Sequence, residues 1–270
     1  MNSRNPYLAV SVSGGGALGV GPLHFIRRLE ADLGNTLASM TGAVGGTSTG
    51  SIIAAMLASG FEGNFMYEMY RNNLKSIFTK YPFYKRMKPS CPTYDNSNLT
   101  KLLKKYFDGF MPDFQKIICI PTTCTNGYNV EKVWDRSDKD CEKWFAVLSS
   151  CSAPTYFSPV GKDKNYIDGG MWANDPICVL QAHLASLGMG NMYRILSFNT
   201  GMRTPNTETG DKSLVELGKY IIGDWVARTG AGELYKVRQN IGQNNVFRLE
   251  PSVNKGFKMD NLDVLDEGVS

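Results

Sequence analysis

Apolar residues come in short runs broken by glycine, and the spacing inside the runs changes along the chain. Residues 7–12 form an almost unbroken apolar stretch, the pattern of a strand buried on both faces. Beyond it Leu23, Ile26, Leu29 and Leu33 recur at helical spacing, which predicts an amphipathic helix, and Gly34 supplies a stop. Residues 43–46 predict a second short strand, and residues 51–58 a second helix halted near Gly60. Further apolar runs at 116–120, 143–148 and 194–198, interleaved with helix-like segments, are read as continuing the alternation. Alternation of this kind predicts an α/β sheet covered on both faces. No internal repeat is present.

Residues 61–111 have a different texture. Phe65, Met66, Met69, Tyr70, Leu74, Ile77, Phe78, Tyr81, Phe83, Tyr84 and Met87 are interleaved with lysine and arginine. From Arg71 to Lys105 nine basic residues face one acid, Asp95, a local excess of +8. Two expectations compete here. Met66, Tyr70, Ile77 and Tyr81 read as the core stripe of a helix with solvated lysines. The whole segment also reads as a lid or interfacial insertion suited to an anionic bilayer.

The 270 residues, 42% hydrophobic and 20% charged, predict one large domain over residues 1–270. A net charge of +4 makes no case for a nucleic acid polymer as partner. The C-terminal tail leans acidic. Six cysteines lack C-x-x-C spacing and nearby paired histidines, which argues against a metal. With no leader read at the start, they are expected to be reduced thiols in a cytoplasmic protein. No apolar stretch approaches the length of a membrane span, so membrane contact is expected to be peripheral.

Two glycine-flanked loops carry the candidate chemistry. Gly46 Thr47 Ser48 Thr49 Gly50 matches the nucleophile elbow, in which a sharp strand-to-helix turn exposes a serine hydroxyl. Gly14 Gly15 Gly16 Ala17 Leu18 Gly19 precedes a helix, where bare backbone N–H groups stabilise an oxyanion. Ser48 then needs a base. His24 sits in the first helix among Leu23, Phe25 and Ile26, and reads as a packing or surface residue. His183 follows Asp168 by fifteen residues and permits a Ser48–Asp168–His183 triad, although it falls on a predicted helix. Asp168, at the end of a short apolar run and followed by Gly169 and Gly170, is the better base, held on a tight turn with open approach. Taken singly, an Asp-Gly-Gly is only a turn.

In order, these three motifs resemble the patatin-like phospholipase family. Residues 149–159, a serine-rich block ending in Pro154 Thr155 Tyr156 Phe157 Ser158 Pro159, and the run Trp172 Ala173 Asn174 Asp175 Pro176 are similar to further blocks of that family. The resemblance spans residues 7–201. It implies a three-layer α/β/α fold with a mainly parallel central sheet, and hydrolysis of fatty acyl esters of membrane phospholipids without metal or organic cofactor. By motif position it implies Ser48 as nucleophile, Asp168 as base, Gly15 and Gly16 as oxyanion donors, Gly14 as shaper of the turn and Thr49 as a further donor. Leu18 stands where many members carry Arg or Lys. Relatives with this resemblance include bacterial antiviral effectors switched on by a small nucleotide, so a nucleotide activator and a homo-oligomer belong to the expectation.

Gly14, Gly16 and Gly19 also satisfy G-x-G-x-x-G, which keeps a non-enzymatic dinucleotide-binding Rossmann module in view. That fingerprint wants an acid about twenty residues on. Glu30 and Asp32 arrive early, inside the predicted helix. A catalytically silent binding module is a third reading, against which the intact serine, aspartate and glycines argue.

Overall fold

The computed structural model describes residues 7–88, 91–127, 130–190, 192–203 and 230–253; the acidic tail lies outside them. The first strand, β1 (Tyr7–Val12), leads through a 3-10 turn (Gly16–Gly19) into α1 (Val20–Leu33). Gly34 ends α1 in the left-handed conformation, φ 63°, its N–H donating to the Glu30 carbonyl. A short α2 (Leu37–Met40) precedes β2 (Thr41–Gly46), and the elbow delivers the chain into α3 (Thr49–Ala58). Every residue of α3 is buried. A helix apolar all round belongs in the middle of the protein, and α3 packs against both β1 and β2.

β1 and β2 are joined in the central sheet by β3 (Ile117–Cys124), β4 (Glu131–Trp134), β5 (Tyr166–Asp168), β6 (Tyr193–Phe198) and β8 (Val246–Leu249). The order is β4-β3-β2-β1-β6-β8, with β5 also paired to β3. The β1–β2, β2–β3, β1–β6 and β6–β8 pairs are parallel, whereas β4 and β5 run antiparallel to β3. β7 (Met202–Arg203) and β9 (Ser252–Val253) pair in parallel as a separate two-stranded sheet.

Alternation along β1 and β2 sends side chains into two cores. Val10, Val12 and Val44 join α1 and α3 in the larger one. Ala9 and Ala43 join Ile177, Leu180 and Leu184 of α9 (Ile177–Ser186), with Val237 and Ile241 of the helix Gly230–Ile241, in the other. Helices thus cover both faces of a largely parallel sheet, a three-layer α/β/α arrangement.

Residues 143–148, read as part of the strand pattern, instead begin a helix, α7 (Lys143–Ser150). Its back half, Ala146 to Ser150, is wholly buried, and α7 packs on β3 and β5. Burial on that scale makes a short helix as apolar as a strand, so periodicity has nothing to distinguish them. Residues 61–111 form α4 (Gly63–Ile77), α5 (Phe83–Arg86) and α6 (Ser97–Tyr106), apart from residues 89–90, which lie outside the described set. Met66, Tyr70 and Ile77 enter the larger core, as a helical stripe should, together with Leu99 and Leu103 of α6, whereas Tyr81 lies beyond the end of α4, half-buried and outside that core. Pro82 to Lys88 are all exposed.

Candidate active site

Ser48 occupies φ 54°, ψ −128°, a conformation rarely adopted by a residue with a side chain. The turn needs glycine on either side: a Cβ on Gly46 would overlap the Gly50 carbonyl, and one on Gly50 would overlap that of Val12. Strain is held by a network around the elbow. Ser150 of α7 accepts from the Ser48 N–H at 3.0 Å and donates its own hydroxyl to the Pro121 carbonyl at 2.6 Å. Ser51 donates to the Ser48 carbonyl at 2.6 Å, and Thr47 donates to the Ala173 carbonyl at 2.6 Å.

Asp168 reaches the same place from the other end of the chain, and strand register explains how. β2 pairs with β3 in parallel, Ala43 opposite Ile117 and Gly45 opposite Cys119, then leaves at the elbow. β4 occupies the other flank of β3, so β5 takes up the flank that β2 vacates, running the opposite way, with Asp168 opposite Thr122. Continuing the β2 register by three residues brings Ser48 level with Thr122 as well. Two strands meeting head-on along one neighbour therefore bring positions 48 and 168 together.

The Ser48 hydroxyl stands close enough to the Asp168 carboxyl to draw its pKa down, and the carboxylate accepts from the Gly170 N–H at 2.6 Å. Both residues are buried, 7% and 5% exposed. Burial raises the Asp168 carboxyl to about pKa 6, against the pull of the Gly170 and Ser48 donors. Its backbone is fixed too: Thr123 donates to the Asp168 carbonyl at 2.7 Å, and the Asp168 N–H donates to Ser152 at 3.0 Å.

The N-terminal glycine loop closes over this pair. A Cβ on Gly14 would come within 3.1 Å of the Ser48 Cβ. The Gly14 N–H is spent on the Asn174 carbonyl at 2.9 Å, so it acts in the turn. The Gly14 carbonyl accepts from Thr200 at 2.7 Å, and the Gly15 carbonyl from the Leu18 N–H at 3.2 Å. In a planar trans peptide the N–H points opposite the carbonyl, so these two bonds aim the Gly15 and Gly16 N–H groups away from the protein's grip. Neither N–H has a backbone acceptor among the described residues, nor does that of Thr49, the first residue of α3. The Gly16 carbonyl is held by Tyr70 of α4 at 2.6 Å and by Thr49 at 2.9 Å.

Beside Ser48 and Thr49 opens a narrow pocket, partly open to solvent, walled by Ile52, Ile77, Phe78, Leu99, Tyr156 and Phe157. His183 does not enter this arrangement: its Nδ1 stands 3.8 Å from the Asp135 carboxylate. His24 lies on α1 against Tyr67, with its pKa lowered by partial burial and then by Arg27 and Arg28. Among the described residues no group of three or more His, Cys, Asp and Glu is arranged to hold a metal. Leu18 is buried in the larger core. Thr200 and Tyr70 hold the glycine loop, yet no motif pointed to them, because each acts through a carbonyl far away in sequence.

Fold and site together define a three-layer α/β protein with a serine elbow and a buried aspartate brought together beside β3. Residues 10–180 match the model of the patatin-like phospholipases, and the chain belongs to that family. It is 27% identical over 191 residues, 65% of its length, to an intracellular phospholipase A2 of Caenorhabditis elegans, of which the match covers 16%. A cGAMP-activated phospholipase of Vibrio cholerae is 25% identical over 244 residues, 80% of this chain and 64% of that protein. A cUMP-AMP-activated phospholipase of Escherichia coli is 36% identical over 70 residues, 26% of this chain and 22% of that one. The chain thus spans less than two thirds of each of these relatives.

Proposed function

We propose that this protein is a serine acyl hydrolase that cleaves fatty acyl esters of membrane phospholipids through a Ser48–Asp168 dyad. The observation that carries the reading is the strand register that sets the elbow serine beside a buried carboxylate whose pKa is lifted towards neutrality. In the first half-reaction the Ser48 oxygen attacks the ester carbonyl while Asp168 takes its proton. Gly15, Gly16 and Thr49 N–H groups receive the oxyanion, and Gly14 shapes the turn that presents them. Collapse expels the lysolipid alcohol, which leaves with the proton returned by Asp168. Water then attacks the acyl-enzyme with Asp168 again as base, releasing the fatty acid. The apolar pocket beside Ser48 suits the acyl chain.

A single patatin-like domain over residues 1–270, with residues 61–111 as a lid or interfacial insertion, is the organisation we favour, in a cytoplasmic protein bound peripherally to membrane. Among the described residues no helix is long and apolar enough to cross a bilayer. The likeness to the Vibrio cholerae and Escherichia coli phospholipases supports activation by a small nucleotide, with assembly into a homo-oligomer as its expected consequence.

Mass spectrometry of products from defined phospholipids, with wild type beside Ser48→Ala, tests the chemistry: wild type should release fatty acid and lysolipid, and the variant neither. Labelling by a fluorophosphonate probe should likewise vanish in Ser48→Ala. Intact lipid after incubation with wild type, with and without cyclic dinucleotides, would sink the reading.

A further inference from the structure

We propose that the exposed tip at residues 82–88 is the membrane-docking element and enters the headgroup layer of an anionic phospholipid bilayer, bringing the pocket beside Ser48 to the lipid. The inference rests on the lipid-ester reading above and adds the surface that reaches the substrate.

The tip projects from a rigid base. Tyr81 N–H donates to the Thr93 carbonyl at 3.1 Å and Asp95 N–H to the Thr79 carbonyl at 3.0 Å, with Lys80 and Tyr94 bridged antiparallel between them. This stem is tied in turn to the pocket wall. Thr93 and Tyr94 N–H groups donate to the carbonyls of Thr155 and Tyr156 at 2.9 and 2.8 Å. Rings lock the junction: Phe78 meets Tyr94 edge-on at 5.2 Å, and Tyr94 stacks on Tyr156 at 6.1 Å. Phe78 and Tyr156 also line the pocket beside Ser48.

Beyond the stem the chain exposes what a fold ordinarily hides. Phe83, Tyr84 and Met87 are 73%, 68% and 70% exposed, and α5 has no buried residue. Such an apolar cluster on an otherwise well-packed protein marks a contact surface. Its companions identify the partner. Lys80, Lys85, Arg86 and Lys88 flank the three apolar residues along the chain, Arg86 lies over the Phe83 ring at 5.9 Å, and Asp95 in the stem is the only acid from Arg71 to Lys105. Among the described residues none of the four cations is paired with a carboxylate; Arg86 donates to the Tyr81 carbonyl at 2.9 Å. Apolar side chains flanked by long cations match a bilayer interface, the rings and thioether at the acyl boundary and the ammonium groups at lipid phosphates.

Binding is best read on full-length Ser48→Ala, which leaves the vesicles intact and makes docking independent of whether the dyad works. Co-sedimentation would use phosphatidylcholine vesicles with and without phosphatidylglycerol. In that background F83S/Y84S/M87S and K80Q/K85Q/R86Q/K88Q should each lower association with the anionic vesicles by about tenfold or more. Added salt should weaken the parent and spare the residual binding of the charge variant. A separate Phe83→Trp protein should shift its emission to the blue on those vesicles and be quenched by brominated acyl chains. Unchanged association in both multiple variants, with circular dichroism showing them folded, would overturn the proposal. So would a tip variant that dissociates an oligomer on size exclusion yet binds vesicles as before, since the surface would then be a protein interface. Failure of phospholipid hydrolysis by wild type would remove the enzymatic reading and leave the binding result interpretable.

Discussion

In the proposed mechanism the burial of Asp168 bears on activity and stability at once. If it acts as the base it must be ionised, so kcat/KM should fall about tenfold per pH unit below about 6. A pH–rate profile on a soluble ester checks this, and a profile flat from pH 5 to pH 8 would be inconsistent with the role. Stability runs the other way. The folded carboxyl binds its proton up to about pH 6, whereas the unfolded one releases it near its ordinary value of 3.8. Stability is therefore full below that lower value and declines as pH rises through about 6, by about 3 kcal/mol. Asp168→Asn should lose most activity, on the order of 10³-fold, yet unfold at higher urea than wild type at pH 7, with the gap closing towards pH 4. Thr200→Val removes the hydroxyl that fixes the Gly14 carbonyl and should lower kcat about 10- to 100-fold with KM little changed. Ser48, Asp168 and the glycines were legible in the sequence because each lies in a local motif. Thr200, Ser150 and Tyr70 were not, since their contacts cross 186, 102 and 54 residues of chain.

At the scale of elements, glycine punctuation made the N-terminal third readable. β1, α1, β2 and α3 all fall where the apolar runs place them, because left-handed or crowded backbone at Gly34, Gly46 and Gly50 admits little else. Gly50→Ala should accordingly cost about 3 kcal/mol or more, since its Cβ would meet β1 backbone rather than a movable side chain. Urea denaturation measures it, and a loss below about 1 kcal/mol would mean that the elbow relaxes. The short strands escaped notice for the converse reason. β5 has three residues and β4 four, too few for a period to register, and both are held by cross-strand partners distant in sequence. α7 was misread because its burial erased the polar face that identifies a helix.

Across the whole molecule, the site depends on chain beyond residue 180. Arg248 of β8 forms a nearly buried ion pair with Asp175 and donates to Ser197 at 2.9 Å. Asp175 directly follows Asn174, whose carbonyl receives the Gly14 N–H, so the clamp braces the glycine loop from behind. Arg248→Met would strand a buried carboxylate and should cost about 3–5 kcal/mol, a loss partly recovered by adding Asp175→Asn. Denaturant titration of both proteins decides it; equal stabilities for the single variant and wild type would make the pair dispensable. Charge at this scale is informative through its placement: +4 overall identifies no partner, whereas the +8 concentrated between Arg71 and Lys105 frames the exposed tip.

The head-on meeting of β2 and β5 makes β3 a measuring rod for the dyad. One residue inserted between Cys119 and Thr122 would slide β5 by about 3.3 Å relative to β2 and turn alternate side chains to the opposite face, parting hydroxyl from carboxylate. Lengthening the surface connections between α3 and β5 would leave that spacing untouched. The distance between serine and carboxylate is thus set along β3 and not by the loops that join the strands.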